Sequence, residues 1–226
     1  IIWGSDNTVS EIKKFKTKPK TVDVLFPDRY SFCLINSTKF ENLTEKELLS
    51  FANKFYNDTF IADQNACSSP HLIVWAGKIN EMRRQKFWKT LSNLVKLKYQ
   101  APELSSVDKY HKFCSDLIKL KHLNSVKIYD NCVYTLKLKK FSETMENLRG
   151  RWGYFYEFET KNINSISKNI NRKYQTMTYF GFKKDTLKKF IISNNIKGID
   201  RFVPVGSALD INFVWDGYDL FKSLTR

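Results

Sequence analysis

The stretch Asp63-Gln64-Asn65-Ala66-Cys67-Ser68-Ser69-Pro70 joins a strong helix pattern to a strongly apolar strand pattern. The helix pattern begins at Thr44-Glu45-Lys46-Glu47, where a hydroxyl is followed three residues later by a carboxylate, as in a capping box. It continues as an apolar stripe at helical spacing. The strand pattern is Leu72-Ile73-Val74-Trp75. This order predicts a helix, a short polar turn and a buried strand.

Cys67 is the unusual residue of this turn. Most free cysteines are small apolar residues of the core. Cys67 instead lies among small polar residues and beside two amides, Gln64 and Asn65, that have no evident partner in the local sequence. The pattern favours a thiol that faces a cleft and acts as a nucleophile. A structural thiol in the core is the alternative interpretation.

The composition is that of a soluble globular protein. The 226 residues are 42% hydrophobic and 27% charged, and no apolar run is long enough to span a bilayer. The formal net charge is +15, with 30 Lys against 8 Arg. Because the lysines are spread along the chain and no nucleic-acid-binding motif accompanies them, a solvated basic surface is favoured. A surface for phosphate-bearing cofactors is the alternative, and no nucleic-acid partner is predicted.

The four cysteines are scattered without the spacing of a metal site, so no metal is predicted. They are expected to be free thiols in a reducing cytoplasm. The chain opens Ile1-Ile2-Trp3-Gly4 and lacks both a secretory signal and an initiator methionine, which predicts a piece of a longer cytoplasmic protein.

Helix and strand patterns alternate along the rest of the chain. Helices are predicted over 78–99, 106–123 and 217–224, with shorter ones near 143–148 and after 163. Tyr154-Phe155-Tyr156-Glu157-Phe158 alternates like a half-buried strand. Short strands alternating with helices predict an α/β fold: a layered, largely parallel sheet flanked by helices.

Four further stretches lie along the chain before and after the cysteine turn. They are 26–32 (Phe-Pro-Asp-Arg-Tyr-Ser-Phe), 150–153 (Gly-Arg-Trp-Gly), 198–206 (Gly-Ile-Asp-Arg-Phe-Val-Pro-Val-Gly) and 215–220 (Trp-Asp-Gly-Tyr-Asp-Leu). With residues 64–70, the set resembles the LuxC-type acyl-CoA reductases, the fatty-acid reductases of bacterial luminescence. These enzymes belong to the aldehyde dehydrogenase superfamily. The resemblance covers the C-terminal, cysteine-bearing half or so of such an enzyme, and it implies an aldehyde dehydrogenase-like catalytic domain over 31–226. Residues 1–30 would end the cofactor-binding domain.

The resemblance also implies a reaction. An NADPH-dependent oxidoreductase would reduce a long-chain fatty acyl-CoA, or an acyl-protein, to the fatty aldehyde through an acyl-Cys67 intermediate. The Cys67 backbone N–H is one candidate donor to the oxyanion. Asn65 is a second candidate for the catalytic site, although it could simply hold the loop. Acyl-transferring proteins are implied partners, and a homo-oligomer is compatible with the family.

Cofactor residues follow from the same resemblance. Gly4 and Ser5 would line the cofactor cleft, against the alternative of an ordinary tight turn. Trp152-Gly153 matches an aromatic–glycine pair of the superfamily, which places Gly150 where a ribose-binding glutamate is expected and leaves that contact in doubt. Arg151 and Arg149 would instead meet a phosphate, or they would cap the carbonyls of the preceding helix.

Other residues of these stretches bear on the chemistry. Hydrolytic aldehyde dehydrogenases carry a water-activating glutamate near the position of Phe26-Pro27-Asp28, and its absence favours acyl transfer over hydrolysis. Asp28 and Arg29 are predicted to form a structural ion pair. His71 is a candidate base for the thiol, although a position four residues from Cys67 does not ensure contact.

Two other functions stay open on the sequence alone. One is a non-catalytic basic binding module, which rests on charge only. The other is a folded fragment that cannot turn over, because the phosphate-binding part of a cofactor domain is absent from these 226 residues.

Overall fold

Eleven strands are present in the computed structural model, which describes residues 1–225. They are β1 (Ile2–Trp3), β2 (Leu25–Phe26), β3 (Tyr30–Asn36), β4 (Pro70–Ala76), β5 (Leu123–Tyr129), β6 (Val133–Leu138), β7 (Tyr154–Thr160), β8 (Tyr174–Phe180), β9 (Arg201–Pro204), β10 (Val214–Trp215) and β11 (Tyr218–Asp219). Seven of them form one sheet in the order β5-β6-β7-β4-β3-β8-β9. All its neighbours are parallel except β5 and β6.

Helices cover both faces of this sheet. They are α1 (Asp6–Ile12), α2 (Ser37–Glu41), α3 (Glu45–Thr59), α4 (Glu81–Lys98), α5 (Ser105–Lys119), α6 (Lys184–Ser193) and α7 (Leu220–Leu224), with short 3-10 helices at Phe60–Ala62, Met145–Asn147 and Ile163–Asn169. Helices α3 and α4 share one core with alternate residues of β3 and β4. Residues of α5 and α6 pack in a second core on the opposite face. The predicted layered α/β fold with a largely parallel sheet is confirmed.

Helix α3 begins where the sequence predicts. The Glu47 backbone N–H donates to Thr44 Oγ1 at 3.3 Å, and the Thr44 backbone N–H donates to Glu47 Oε2 at 2.8 Å. This reciprocal pair satisfies two of the donors that a helix start leaves free. The helix therefore has a fixed starting point, from which it leads into the cysteine turn.

Two local predictions are wrong. Strand β7 is buried on both faces rather than half-buried, with Tyr154, Phe155 and Tyr156 all almost fully enclosed. It lies between β6 and β4, and helices cover both sides. The short helices predicted near 143–148 and after 163 are present, as 3-10 helices. The helix predicted over 217–224 is only α7, because Tyr218 and Asp219 pair with β10.

A small separate cluster joins the two ends of the chain. Strands β1 and β2 pair in parallel, apart from the main sheet. Val24, Phe26 and Trp215 form an apolar cluster against which Cys67 and Tyr218 pack. The cysteine turn therefore lies where residues of the first and last parts of the chain meet. None of the helices in residues 1–225 is long and apolar enough to cross a membrane.

Candidate active site

Five loops meet at the amino edge of the sheet. Since β7, β4, β3, β8 and β9 are neighbouring and parallel, the residues that precede them emerge at the same edge. Those residues include Trp152 before β7, Cys67 before β4, Arg29 before β3 and Asp200 before β9. The motifs that the sequence singled out thus come together in space.

Buried hydrogen bonds hold the cysteine turn. The Ser69 hydroxyl donates to the Asp58 carbonyl at 2.8 Å, which ties the turn to the end of α3. The Ser31 hydroxyl donates to the Cys67 carbonyl at 2.7 Å, and it accepts from the Thr176 N–H at 3.1 Å. The backbone of Cys67 is therefore fixed to both β3 and β8.

Gln64 ties the turn to the glycine-rich turn before β7. Its Nε2 donates to the carbonyls of Pro70 (3.1 Å) and Tyr154 (3.0 Å). Its Oε1 accepts from the N–H groups of Gly153 and Tyr154, both at 3.1 Å. The expectation of two unpartnered amides is wrong for Gln64, which is fully buried and bonded at both ends. The other amide residue, Asn65, is exposed.

The Cys67 thiol is partly buried. Burial raises its pKa, and the Asp216 carboxylate acts in the same direction. The Gln175 side-chain amide opposes this effect most strongly, followed by the Cys67 N–H and the Arg29 guanidinium. Groups that favour the thiolate are thus present, although burial dominates in this chain. The sequence reasoning missed Gln175, because nothing in the sequence near it marks it.

Arg29 pairs with residues distant in sequence rather than with Asp28, so the predicted ion pair is wrong. Its guanidinium contacts Asp200 and lies with Nε 3.2 Å from Asp216 Oδ1. Burial raises the pKa of Asp216 to about 6, and Arg29 opposes this rise. Asp28 instead accepts from the Asp6 N–H at 3.3 Å. Asp200 and Asp216 belong to the two C-terminal motifs, so Arg29 joins both of these motifs to the start of β3.

A basic cleft lies beside the turn before β7. The cavity has a volume of about 280 Å³ and is lined by Asp108, Lys109, His111, Lys112, Arg149, Arg151, Trp152 and Tyr154. Arg149 Nε also donates to the Glu146 carbonyl at 3.3 Å, so the alternative of a cap on the preceding helix holds for this arginine. The Arg151 guanidinium lies 6.0 Å from the centre of the Trp152 ring.

Lys109 fixes the floor of this cleft. Its ammonium is buried and donates to the carbonyls of Trp152 (3.0 Å) and Cys132 (3.3 Å). Burial lowers the pKa of Lys109 to about 8. The sequence did not predict the α5 residues of the cleft, because their spacing is that of one polar face of an ordinary helix.

A family model described as acyl-CoA reductase (LuxC) matches residues 1–226. The chain belongs to the LuxC acyl-CoA reductase family. No match was found among curated proteins.

Aldehyde dehydrogenase structures share the fold of this LuxC-family chain. Betaine aldehyde dehydrogenase from Staphylococcus aureus, in complex with NAD⁺, superposes with a TM-score of 0.57 at 13% identity, over 96% of this chain and 45% of that one. The NAD-dependent benzaldehyde dehydrogenase from Corynebacterium glutamicum gives 0.52 at 8%, over 90% and 45%. The Delta-pyrroline-5-carboxylate dehydrogenase from Mycobacterium tuberculosis gives 0.55 at 8%, over 80% and 36%. The chain thus spans less than half the length of these enzymes.

Gly4 and Ser5 lie at the start of α1 in the LuxC-family chain. Ser5 Oγ caps the helix by accepting from the Thr8 N–H at 3.1 Å. A Cβ on Gly4 would lie 2.8 Å from Thr8 Cγ2, so a side chain there requires Thr8 to shift. The Gly4 N–H donates to the Phe26 carbonyl at 3.1 Å, and the Phe26 side chain belongs to the cluster that holds Cys67. Their role toward a cofactor stays a prediction.

His71 does not serve Cys67 in this structure. It is buried, its ring stacks on Tyr30 with 5.5 Å between ring centres, and its Nδ1 has no hydrogen-bond partner within residues 1–225. Burial lowers its pKa to about 3, with a further contribution from Arg149. A neutral, enclosed imidazole is a packing residue here. In residues 1–225 no group of three or more His, Cys, Asp or Glu side chains is arranged to hold a metal ion.

His71 should make the protein sensitive to acid. The folded-state pKa of about 3 lies below the unfolded value near 6.5, so the unfolded state binds more protons between these values. The stability is therefore complete above about pH 6.5 and is lost as the pH falls toward 3. At pH 5 the loss is about 2 kcal/mol of unfolding free energy, from roughly 1.4 kcal/mol per unit.

Denaturant titrations at pH 7.5, 6 and 5 would measure this loss. His71→Phe should make the free energy of unfolding less dependent on pH over this range. His122→Phe, at an exposed position, should leave the dependence unchanged. Equal pH slopes for the native chain and His71→Phe would contradict the prediction.

Proposed function

We propose that the full-length protein that carries this chain reduces a long-chain fatty acyl thioester, an acyl-CoA or acyl-protein, to the fatty aldehyde with NADPH. The observation that carries the proposal is the fixed position of Cys67 at the amino edge of the sheet. The thiol packs on the Phe26–Trp215 cluster, and its turn is bonded through Gln64 to the Gly153 turn beside the basic cleft. Membership of the LuxC acyl-CoA reductase family supports the substrate class. The chain alone, less than half the length of its structural neighbours, is proposed to lack turnover.

The chemistry of Cys67 follows from its surroundings. The thiolate attacks the carbonyl carbon of the acyl thioester, and a tetrahedral oxyanion forms. When this collapses, the bond to the coenzyme A sulfur breaks and the acyl group stays on Cys67. The Cys67 N–H, which already favours negative charge at the sulfur, is one donor to that oxyanion.

The turn at Asp28 supports reduction over hydrolysis. The Asp28 carboxylate accepts from the Asp6 N–H, while the Asp28 N–H donates to Asp6 Oδ1 at 3.2 Å. Asp28 thus pairs reciprocally with Asp6 at the start of α1, and we propose that this pairing keeps it from activating water. An acyl-Cys67 that is protected from water would persist long enough to be reduced.

The basic cleft fits part of a phosphate-bearing nicotinamide cofactor. Arg151 and Lys112 supply positive charge and the Trp152 ring supplies an aromatic face. A Cβ on Gly150 would lie 1.8 Å from the Tyr154 carbonyl oxygen, so no ribose-binding side chain fits at this position. When bound, the reduced nicotinamide supplies the hydride. Gly4 and Ser5 are proposed to border the same cofactor, and NADPH is proposed over NADH because of the arginines.

Residues 1–30 are proposed to end the cofactor-binding domain and residues 31–226 to form the catalytic domain. The separate pairing of β1 with β2 supports this division. Acyl-transferring proteins, a homo-oligomer and a cytoplasmic setting complete the proposal on the basis of the family. Asn65, being exposed, is proposed to act on a bound substrate only if the rest of the protein covers it.

Steady-state assays of the full-length protein would test the function. Palmitoyl-CoA with NADPH should give hexadecanal, identified by gas chromatography, together with stoichiometric loss of NADPH absorbance. NADH is expected to be a poorer donor. Palmitate as the sole product would indicate a hydrolase, and a folded protein without either product would contradict the proposal.

Arg151→Ala should weaken cofactor binding. Loss of one charge-assisted contact to phosphate costs about 1.5 kcal/mol or more, which corresponds to roughly a tenfold rise in the Kd for NADPH. Fluorescence titration with NADPH and with coenzyme A would show which phosphate Arg151 meets. Arg83→Ala is the matched control, because Arg83 pairs with Glu45 near the start of α4, beyond the carboxyl end of β4. An unchanged Kd for both ligands would remove Arg151 from the site.

A further inference from the structure

Gln175 lies directly beside the cysteine turn. It is the second residue of β8, and the next residue, Thr176, shares the Ser31 hydroxyl with the Cys67 carbonyl. The Ser31 side chain thus links the backbone N–H of Thr176, the neighbour of Gln175, to the backbone carbonyl of Cys67. The backbone of Gln175 is therefore fixed beside the cysteine turn.

The amide of Gln175 is buried without a partner for its donor. The residue is 1% exposed, and Nε2 has no hydrogen-bond acceptor within residues 1–225. Its Oε1 lies 3.5 Å from Thr176 Oγ1. A buried donor without an acceptor costs about 1–3 kcal/mol, so such a group calls for an explanation. One explanation is that a bound substrate supplies the acceptor.

Two groups face this amide. One is the Cys67 sulfur, because the Gln175 side-chain amide lowers the pKa of that thiol. The other is the Asp216 carboxylate, whose Oδ1 likewise has no hydrogen-bond partner in the described chain and lies 3.2 Å from Arg29 Nε. The Ser31 bridge and the unpartnered amide nitrogen together place Gln175 beside the nucleophile. Asn65 lies on the exposed side of the turn instead.

We propose that Gln175 Nε2 donates a hydrogen bond to the oxyanion that forms when Cys67 attacks the acyl carbonyl, a catalytic role that rests on the proposed function. The sulfur–carbon bond forms while the carbonyl π electrons move to oxygen. The negative oxygen then lies next to the sulfur, within reach of the Gln175 amide and the Cys67 N–H. On collapse the bond to the coenzyme A sulfur breaks, and the departing thiolate takes up a proton equivalent to the one that Cys67 lost.

The test compares two reactions of Cys67 in the full-length protein. Acylation by palmitoyl-CoA, followed by intact mass in a single turnover, passes through an oxyanion. Alkylation by iodoacetamide does not. Gln175→Met keeps the size of the side chain and removes the donor. Acylation should slow by about 100-fold, as for other single oxyanion donors. Alkylation reports only the loss of the amide's support for the thiolate, so it should slow much less than acylation, and the ratio of acylation to alkylation should fall by about tenfold or more.

Controls separate the possible outcomes. Gln85→Met makes the same replacement on α4, where the amide bonds Glu81, and should leave both rates unchanged. Gln175→Glu retains the shape if Gln175→Met fails to fold, and the ratio of acylation to alkylation should again fall. Equal losses in both reactions, or no loss, would overturn the role of Gln175. No acylation of the native protein would instead contradict the proposed function.

Discussion

Cys67→Ala should abolish the acyl-enzyme and lower the turnover of the full-length protein by at least about 10⁴-fold, as expected when a covalent nucleophile is removed. Cys67 is partly buried beside Phe26 and Trp215, and no other described thiol shares this cluster. The loop itself is held by Ser31, Ser69 and Gln64 rather than by the thiol. The free energy of unfolding should therefore change by no more than about 1 kcal/mol.

Intact mass spectrometry after incubation with palmitoyl-CoA measures the first effect directly. The native protein should gain one palmitoyl group and Cys67→Ala none. Cys114→Ala is the matched control, since Cys114 is a half-buried free thiol on α5. A palmitoyl adduct that survives in Cys67→Ala, or is lost in Cys114→Ala, would place the nucleophile elsewhere.

The same experiment on the 226-residue chain addresses a separate question. Burial raises the pKa of the Cys67 thiol in this chain, which disfavours the attacking form. An adduct on the chain alone would show that its own groups suffice for acylation. An adduct only on the full-length protein would show that the rest of the protein completes the site.

Local sequence patterns predicted α3 and β4, the helix and strand on either side of the cysteine turn. Thr44 and Glu47 satisfy each other's backbone donors across one helical turn, so the start of α3 is encoded in four residues. The apolar run that became β4 needed no distant partner to be recognised. The cysteine turn between them was therefore predictable in place and in composition.

The contacts of the site were not predictable in this way. Arg29 meets Asp200 across 171 residues, and Gln64 meets Tyr154 across 90. The sequence suggested that Arg29 pairs with its neighbour Asp28, but the Asp28 carboxylate bonds the Asp6 N–H instead. Strand β7 looked half-buried, because Glu157 and Glu159 lie on the same side of the strand, as polar residues of a solvent-facing side do. Helices on both faces of the sheet enclose most of the strand instead. Parallel sheets bring distant loops to one edge, and the pairing there depends on strand order.

Gln64→Leu should have the largest effect on stability among the site variants. Four hydrogen bonds to buried backbone groups disappear together, and leucine offers no replacement. Water entering the turn would recover part of the loss, so we expect destabilisation of about 4 kcal/mol. Leucine must also adopt the left-handed backbone of Gln64, with φ of 58°. Guanidinium denaturation of the chain would measure the change.

The variant should also impair both halves of the proposed reaction. Gln64 holds the cysteine turn and the Gly153 turn at a fixed separation, so its loss displaces the nucleophile relative to the cleft. Small displacements of reacting groups can cost 10²-fold in rate, and we expect acylation to slow and the Kd for NADPH to rise, each by about tenfold or more. Gln85→Leu, which removes one surface hydrogen bond to Glu81, should stay within about 0.5 kcal/mol of the native chain. If Gln64→Leu slowed acylation without raising the Kd for NADPH, the cysteine turn and the Gly153 turn would be positioned independently. The proposal of one joint site at the amino edge would then be wrong.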